Sequence, residues 1–161
     1  MTKTAMSDLQ ALLSEIQTRV ANALSEFTGV EPEVDDLNAR HEPRKVPYAR
    51  VGIAEAAHTD FTVSSDSLMV GIQLVAVVDR NNRRPQEVQF ELAEILHHHI
   101  FGENYDNCLL NLPSGRVARL IPTTKTTFLS DIEQAIAERI PDSTSVVIVL
   151  TAELPLGGKV F

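Results

Sequence analysis

Cysteine is almost missing from this chain. Cys108 is the only one in 161 residues, so no disulfide can form within the chain and stability must come from a packed core. Tryptophan is absent, and there are only two tyrosines and six phenylalanines. Aromatic platforms for stacking bases or sugars are therefore scarce. No apolar run reaches transmembrane length. Lys3 lies near the N-terminus, but Asp8 and Glu15 interrupt the residues after it, and the unbroken apolar core of a signal peptide is lacking. These features predict a chain made and kept in the cytosol. Positive charge is also in short supply. The net charge of −8 repels phosphates on average, which excludes broad electrostatic binding to nucleic acid.

What is present is ordinary globular material: 43% hydrophobic and 22% charged residues, at a length that suits one domain with a proper core. The pattern predicts an α+β domain with an antiparallel or mixed sheet of about 4–5 strands and two helices on one face. Its centre is the stretch from Leu68 to Phe101. Val70, Ile72, Leu74, Ala76 and Val78 alternate along an apolar strand, and Val75 and Val77 make its second face apolar too. Such a strand is expected to be covered on both faces. A basic turn comes next, with Arg80, Arg83 and Arg84. Pro85 suits a first helical turn, and a helix is expected over 85–101. Val88, Leu92, Ile95, Leu96 and His99 lie near its apolar stripe, and Gly102 stops it.

The rest of the chain is read around that centre. A helix is expected over 7–28, with Ser7 and Gln10 at capping-box spacing and Leu9, Leu12, Leu13, Ile16, Val20, Leu24 and Phe27 on one stripe. Residues 31–47 hold Pro32, Pro43 and Pro47 and little grease, and read as a surface connection. A hairpin is expected over 48–79, with a polar tip at 59–67. Short strands are expected over 108–121, split by the turn signal Pro113-Ser114-Gly115. A capping-box pattern from Ser130 to Glu133 starts a short helix over 130–140. A β-branched strand over 144–154 sits inside the sheet, and Pro155 to Lys159 reads as a loose tail.

Chemistry is sparse. His97, His98 and His99 point about 100° apart on a helix and cannot converge on one ion. A metal site would need Glu94 with His97 or His98, plus ligands such as His41 or His58. Read structurally, His99 packs at the stripe's edge while His97 and His98 face solvent. Gly157-Gly158-Lys159 lacks the glycine, hydroxyl residue and helix of a phosphate loop. Cys108 has no cation beside it in the sequence to activate it and reads as a structural thiol. Ser114-Gly115 lacks the pattern of a nucleophile elbow. No catalytic, metal or cofactor-binding residues are assigned. The basic turn at Arg80, Arg83 and Arg84 is read as a contact for an acidic surface, with Glu31, Glu33, Asp35 and Asp36 as possible receivers on another copy.

The order of elements resembles the tail-terminator proteins of long-tailed phages and their prophage and tailocin relatives. The matching stretches are Leu9 to Phe27, Tyr48 to Asp79, Arg80 to Phe101 and Val146 to Leu154. The resemblance implies a non-enzymatic virion protein without cofactors. It implies a homo-oligomeric, hexameric ring that caps the tail tube, ends its polymerisation and meets a head–tail connector or neck protein. It also implies assembly in the host cytoplasm, no membrane, and no specific nucleic-acid binding. The competing readings are an acidic adaptor or immunity-like protein, motivated by the charge, and a small metal-dependent enzyme, motivated by the histidines.

Overall fold

The computed structural model describes residues 3–37, 46–62, 65–128 and 142–158. In chain order the elements are helix α1 (Lys3–Thr28), strands β1 (Glu33–Asp36), β2 (Tyr48–Thr62) and β3 (Ser65–Asp79), helix α2 (Pro85–Phe101), then β4 (Leu109–Asn111), β5 (Val117–Phe128) and β6 (Ser143–Gly158). The strands form one sheet in the order β1-β2-β3-β6-β5-β4. The β1–β2 pair is parallel and the rest are antiparallel, so this is an α+β fold on a mixed sheet. Six strands among the described residues replace the 4–5 expected. The extra one is β1, which lies in the stretch read as a surface connection. Val34, packed against the core, is what little grease that stretch needs to join the sheet.

Both helices lie on one face. Period-2 alternation places Val70, Ile72, Leu74, Ala76 and Val78 of β3 beside Val146, Ile148, Leu150, Ala152 and Leu154 of β6. All ten are essentially without solvent exposure. The stripes of α1 (Leu12, Ile16, Val20, Leu24) and α2 (Val88, Leu92, Leu96, Ile100) close over them. Each fully buried Leu, Ile or Val contributes about 1.5–3 kcal/mol, so this single layer is the dominant source of stability. The opposite face is only partly covered: Val75 and Val147 are half-buried and Val149 is 40% exposed. The expectation of a central strand covered on both faces holds on this side at the end next to the basic turn, where Val77 and its neighbour Tyr48 are fully buried, and fails farther along it. Apolar β-branched residues here satisfy strand propensity, and neither described helix covers them.

Several boundaries differ from the sequence reading. α1 begins at Lys3, not Ser7. Asp8 is consequently inside the helix, where it is buried and accepts hydrogen bonds from the Ser114 backbone N–H and hydroxyl. β2 runs on to Thr62 and β3 starts at Ser65, both inside the stretch that reads as polar tip, and β6 continues through Pro155 to Gly158, paired with Ser65 to Ser67. Backbone pairing to a long neighbour makes strand out of residues with weak propensity of their own. β5 likewise runs on through the threonines to Phe128. The helix expected over 130–140 lies outside the described residues.

Two buried polar side chains tie the layers together. Arg19 donates to the carbonyls of Ile100 at 2.6 Å and Asn107 at 2.7 Å, and to Glu15 at 3.1 Å. It thereby caps the C-terminal end of α2, whose last carbonyls have no partner within the helix. Gln89 donates to the Ser145 carbonyl at 3.0 Å, fixing α2 on β6. At Gly52 the outer face allows Leu37 to approach so closely that a Cβ would stand 2.5 Å from the Leu37 Cβ.

Candidate functional site

The basic turn is largely engaged within its own subunit. Arg83 Nη2 meets Glu87 at 2.9 Å and Glu91 at 2.7 Å, and Nη1 meets the second Glu91 oxygen at 2.8 Å. This fork holds Arg83 charged far above its ordinary range and pulls the Glu91 carboxyl below the usual carboxylate range. Arg80 lies 3.5 Å from the Asp142 carboxylate, and its N–H donates to the Asp142 carbonyl. Arg84 sits at the N-cap position of α2 and is exposed. Asn81 and Asn82 take left-handed conformations that bend the turn toward the helix. With Glu26, Asp79 and Ile95, the arginines Arg80 and Arg83 line an open pocket of about 330 Å³.

The acidic stretch is the edge strand β1 and its approach. Glu33 pairs in register with Tyr48, and Asp35 with Arg50. Asp36 accepts from Gln17 of α1 at 2.8 Å; Glu31 is exposed. Tyr48 is in turn opposite Val77. The start of β1 therefore lies at the same end of the sheet as the Arg80–Arg84 turn, about 10 Å to the side at two strand spacings. The two groups therefore lie at one end of one subunit.

At the other edge is a basic group that the sequence reading did not single out. Arg119 and Lys125 are exposed on β5, and Arg116 is half-buried just before it. The side chains of Arg119 and Lys125 share the open face, in rows that run Gly52–Gln73–Val149–Lys125 and Ala57–Met69–Glu153–Arg119. Arg119 reaches Glu153 at a long 3.4 Å. Leu109, 65% exposed, and Val117, 40% exposed, flank them. A cluster of three cations in an acidic chain was the available signal. Its meaning depends on β5 lying beside a short edge strand, which periodicity does not reveal.

The histidines are directed to three different surroundings. His97 is half-buried against Phe101 and within 3.4 Å of the Thr126 hydroxyl, so it does not face solvent as expected. Burial is the main cause that lowers its pKa, with the neighbouring His98 adding to it. His98 is exposed, and His99 meets Glu26 of α1. Glu94 is exposed; His41 and the side chain of His58 lie outside the described residues. Among the described residues no three His, Cys, Asp or Glu side chains converge as a metal site would require. Burial pushes the Cys108 thiol up, and its sulfur lies 3.7 Å from the Phe101 carbonyl. Ser114 is engaged with Asp8, and Gly157 and Gly158 lie in β6. A groove of about 490 Å³ between α1 and β4 is lined by Glu15, Arg19, Leu109, Asn111 and Leu112; Arg19 is committed there to the carbonyls of Ile100 and Asn107.

No helix among the described residues is long and apolar enough to cross a membrane. No family model matches this sequence, and no curated protein matches it. Solved structures do share its fold. A chain from the virion of a native gene transfer agent particle aligns with a TM-score of 0.54 at 16% identity, covering 96% of this chain and 99% of that one. A second solved structure, whose name carries no function, aligns with a TM-score of 0.54 at 15% identity, covering 96% of each chain. At such identities the likeness is one of fold: the chain has, nearly from end to end, the α+β architecture of a virion subunit.

Proposed function

We propose that this chain is a structural subunit of a phage-type particle, and more narrowly a tail terminator. In this role it forms a homo-oligomeric, hexameric ring that caps the tail tube, ends its growth and presents a surface to the neck. The observation that carries the proposal is the fold match to a virion chain, 96% of one covering 99% of the other. A likeness of that extent is between whole subunits and not between isolated motifs. The element order of tail terminators supports the narrower role. So does the exposure of both sheet edges among the described residues, which gives a ring subunit two different contact patches. The role asks for no cofactor and no catalysis. Its place is the virion, after assembly in the host cytoplasm.

The test is twofold. Purified protein is measured by native mass spectrometry and imaged by negative-stain electron microscopy, and rings are expected. Particles are then produced without the gene, and tails of uncontrolled length that fail to join heads are expected. Normal tails in the deletion would overturn the terminator role; wild-type particles that lack the protein altogether would overturn the structural role.

A further inference from the structure

Among the described residues β4 is the last strand on its side of the sheet. Its ladder with β5 runs through Cys108, Leu110 and Leu112. The Cys108 carbonyl accepts from the Leu120 N–H at 2.7 Å, Leu110 pairs with Ala118, and the Leu112 N–H donates to the Arg116 carbonyl at 2.9 Å. In an antiparallel pair the residues between these, Leu109 and Asn111, direct their N–H and C=O groups to the other side. Neither residue has a hydrogen bond there among the described residues. Helix α1 lies along that side and is tied to it at both ends. Arg19 donates to the Asn107 carbonyl just before β4, and Asp8 accepts from Ser114 just after it. Between the two ties α1 presents Ala11 and Glu15, across a groove of about 490 Å³ from Leu109, Asn111 and Leu112. Of the residues lining this groove only Glu15 and Arg19 are charged. The Arg19 side chain is 9% exposed and directed at main-chain carbonyls. The Glu15 side chain is 50% exposed, with only one of its oxygens held by Arg19. The charge that a visitor meets is therefore negative.

We infer that this groove takes an extended peptide strand of a partner protein, which adds to the sheet beside β4 and carries a lysine or arginine against Glu15. The unused N–H and C=O groups of Leu109 and Asn111 repeat every second residue, and a backbone in β conformation is what matches them. The groove is as long as β4, which is room for about three residues at about 3.3 Å each. Main-chain hydrogen bonds to Leu109 and Asn111 supply affinity in this mode, and side-chain contacts on the groove wall supply selection. Arg19 and Asp8 are both buried, so the walls are set before the strand arrives and the cost of ordering them on binding is cut. The sign of Glu15 also bears on the source of the strand. β1, which ends the sheet on its other side, reads Glu33-Val34-Asp35-Asp36 and would bring like charge to Glu15. The occupant is therefore a basic strand of a different protein. The groove lies within one subunit, so its occupation does not depend on the ring.

The test uses the full chain and short synthetic peptides in which valine and threonine alternate around a central lysine, glutamine or glutamate. Binding is measured by fluorescence anisotropy and located by hydrogen–deuterium exchange mass spectrometry, with circular dichroism to confirm that each variant is folded. The lysine peptide is expected to bind saturably and to slow exchange over 108–112. It is expected to bind at least about threefold more tightly than the glutamate peptide. Glu15→Gln is expected to keep binding and to remove that preference. Asn111→Pro deletes an N–H that the β4–β5 ladder does not use, so the fold is expected to hold while binding of every peptide is lost. A lysine peptide that fails to bind at millimolar concentration, or that binds without slowing exchange over 108–112, would overturn the site. A glutamate peptide that binds as tightly as the lysine peptide would overturn the selection by Glu15. Protection of 108–112 that grows with the concentration of the chain alone would assign the groove to a second copy and overturn the partner strand.

Discussion

Arg19 is a buried polar side chain whose loss should cost the monomer measurably. It is 8% exposed and supplies charged donors to two main-chain carbonyls at the far end of α2 and just beyond it. Arg19→Met keeps the apolar stem but leaves the carbonyls of Ile100 and Asn107 without their charged donor. Hydrogen bonds from charged groups contribute about 1.5–3 kcal/mol each, so a loss of about 2–4 kcal/mol is expected in urea unfolding. A change within about 0.5 kcal/mol would mean that water substitutes for the guanidinium. At Gly52 the mechanism is steric. Gly52→Val drives a side chain into Leu37, and overpacking of this kind costs about 1–3 kcal/mol. The double variant Gly52→Val with Leu37→Ala should recover part of it if the collision is the cause. Arg83 provides the contrast. Its partners are exposed glutamates of the helix it leads into, so Arg83→Ala should leave the urea midpoint nearly where it was.

At the scale of elements, α2 responds to pH through His97. Burial against Phe101 and beside β5 disfavours the charged imidazole. The folded pKa is therefore below the unfolded value of about 6.5. Between those two values the unfolded chain binds more protons than the folded one, so stability rises with pH through that window and is lost as pH falls through it. His97→Gln should flatten this part of the stability–pH curve while leaving the curve above pH about 7 unchanged in shape. An unaltered slope would show that His97 is not the titrating group. The elements themselves differ in how far their residues announce them. The stripes of α1 and α2 and the alternation in β3 and β6 are written in helical and two-residue periods, because each buries one face. β1 is nearly invisible: four residues, EVDD, held by a neighbour and not by their own propensity. The ends of β2, β3 and β6 are hidden for the same reason, since pairing to an adjacent long strand extends them past their apolar residues. For the charged clusters, the structure adds where they stand. Glu31 to Asp36 stand out as an acidic cluster and do lie at an edge. Arg80 to Arg84 stand out as a basic cluster, yet Arg83 is spent within its own subunit on Glu87 and Glu91. Arg116, Arg119 and Lys125 are spread along and just before one strand, and the sheet keeps them apart, with Arg119 opposite Glu153 and Lys125 opposite Val149.

For the whole molecule, a ring subunit of this kind needs one closed layer and one open one. The helices seal the face carrying Leu74 and Ile148, and the other face and both edges carry the charged and apolar residues that neighbours can use. Assembly through charged contacts is salt-dependent, because a Debye length shrinks from about 10 Å at 0.1 M salt to about 3 Å at 1 M. The mass of a ring held that way should therefore fall toward monomer as salt is raised, with the circular dichroism spectrum unchanged. A ring indifferent to salt would point to an apolar contact such as the Val149 face. The most direct test of the central claim is the native mass of the purified chain at physiological salt. One closed oligomer is expected, at a whole multiple, about six, of the 17.7 kDa subunit. A single species at the subunit mass, at every concentration up to that of an assembling particle, would contradict it.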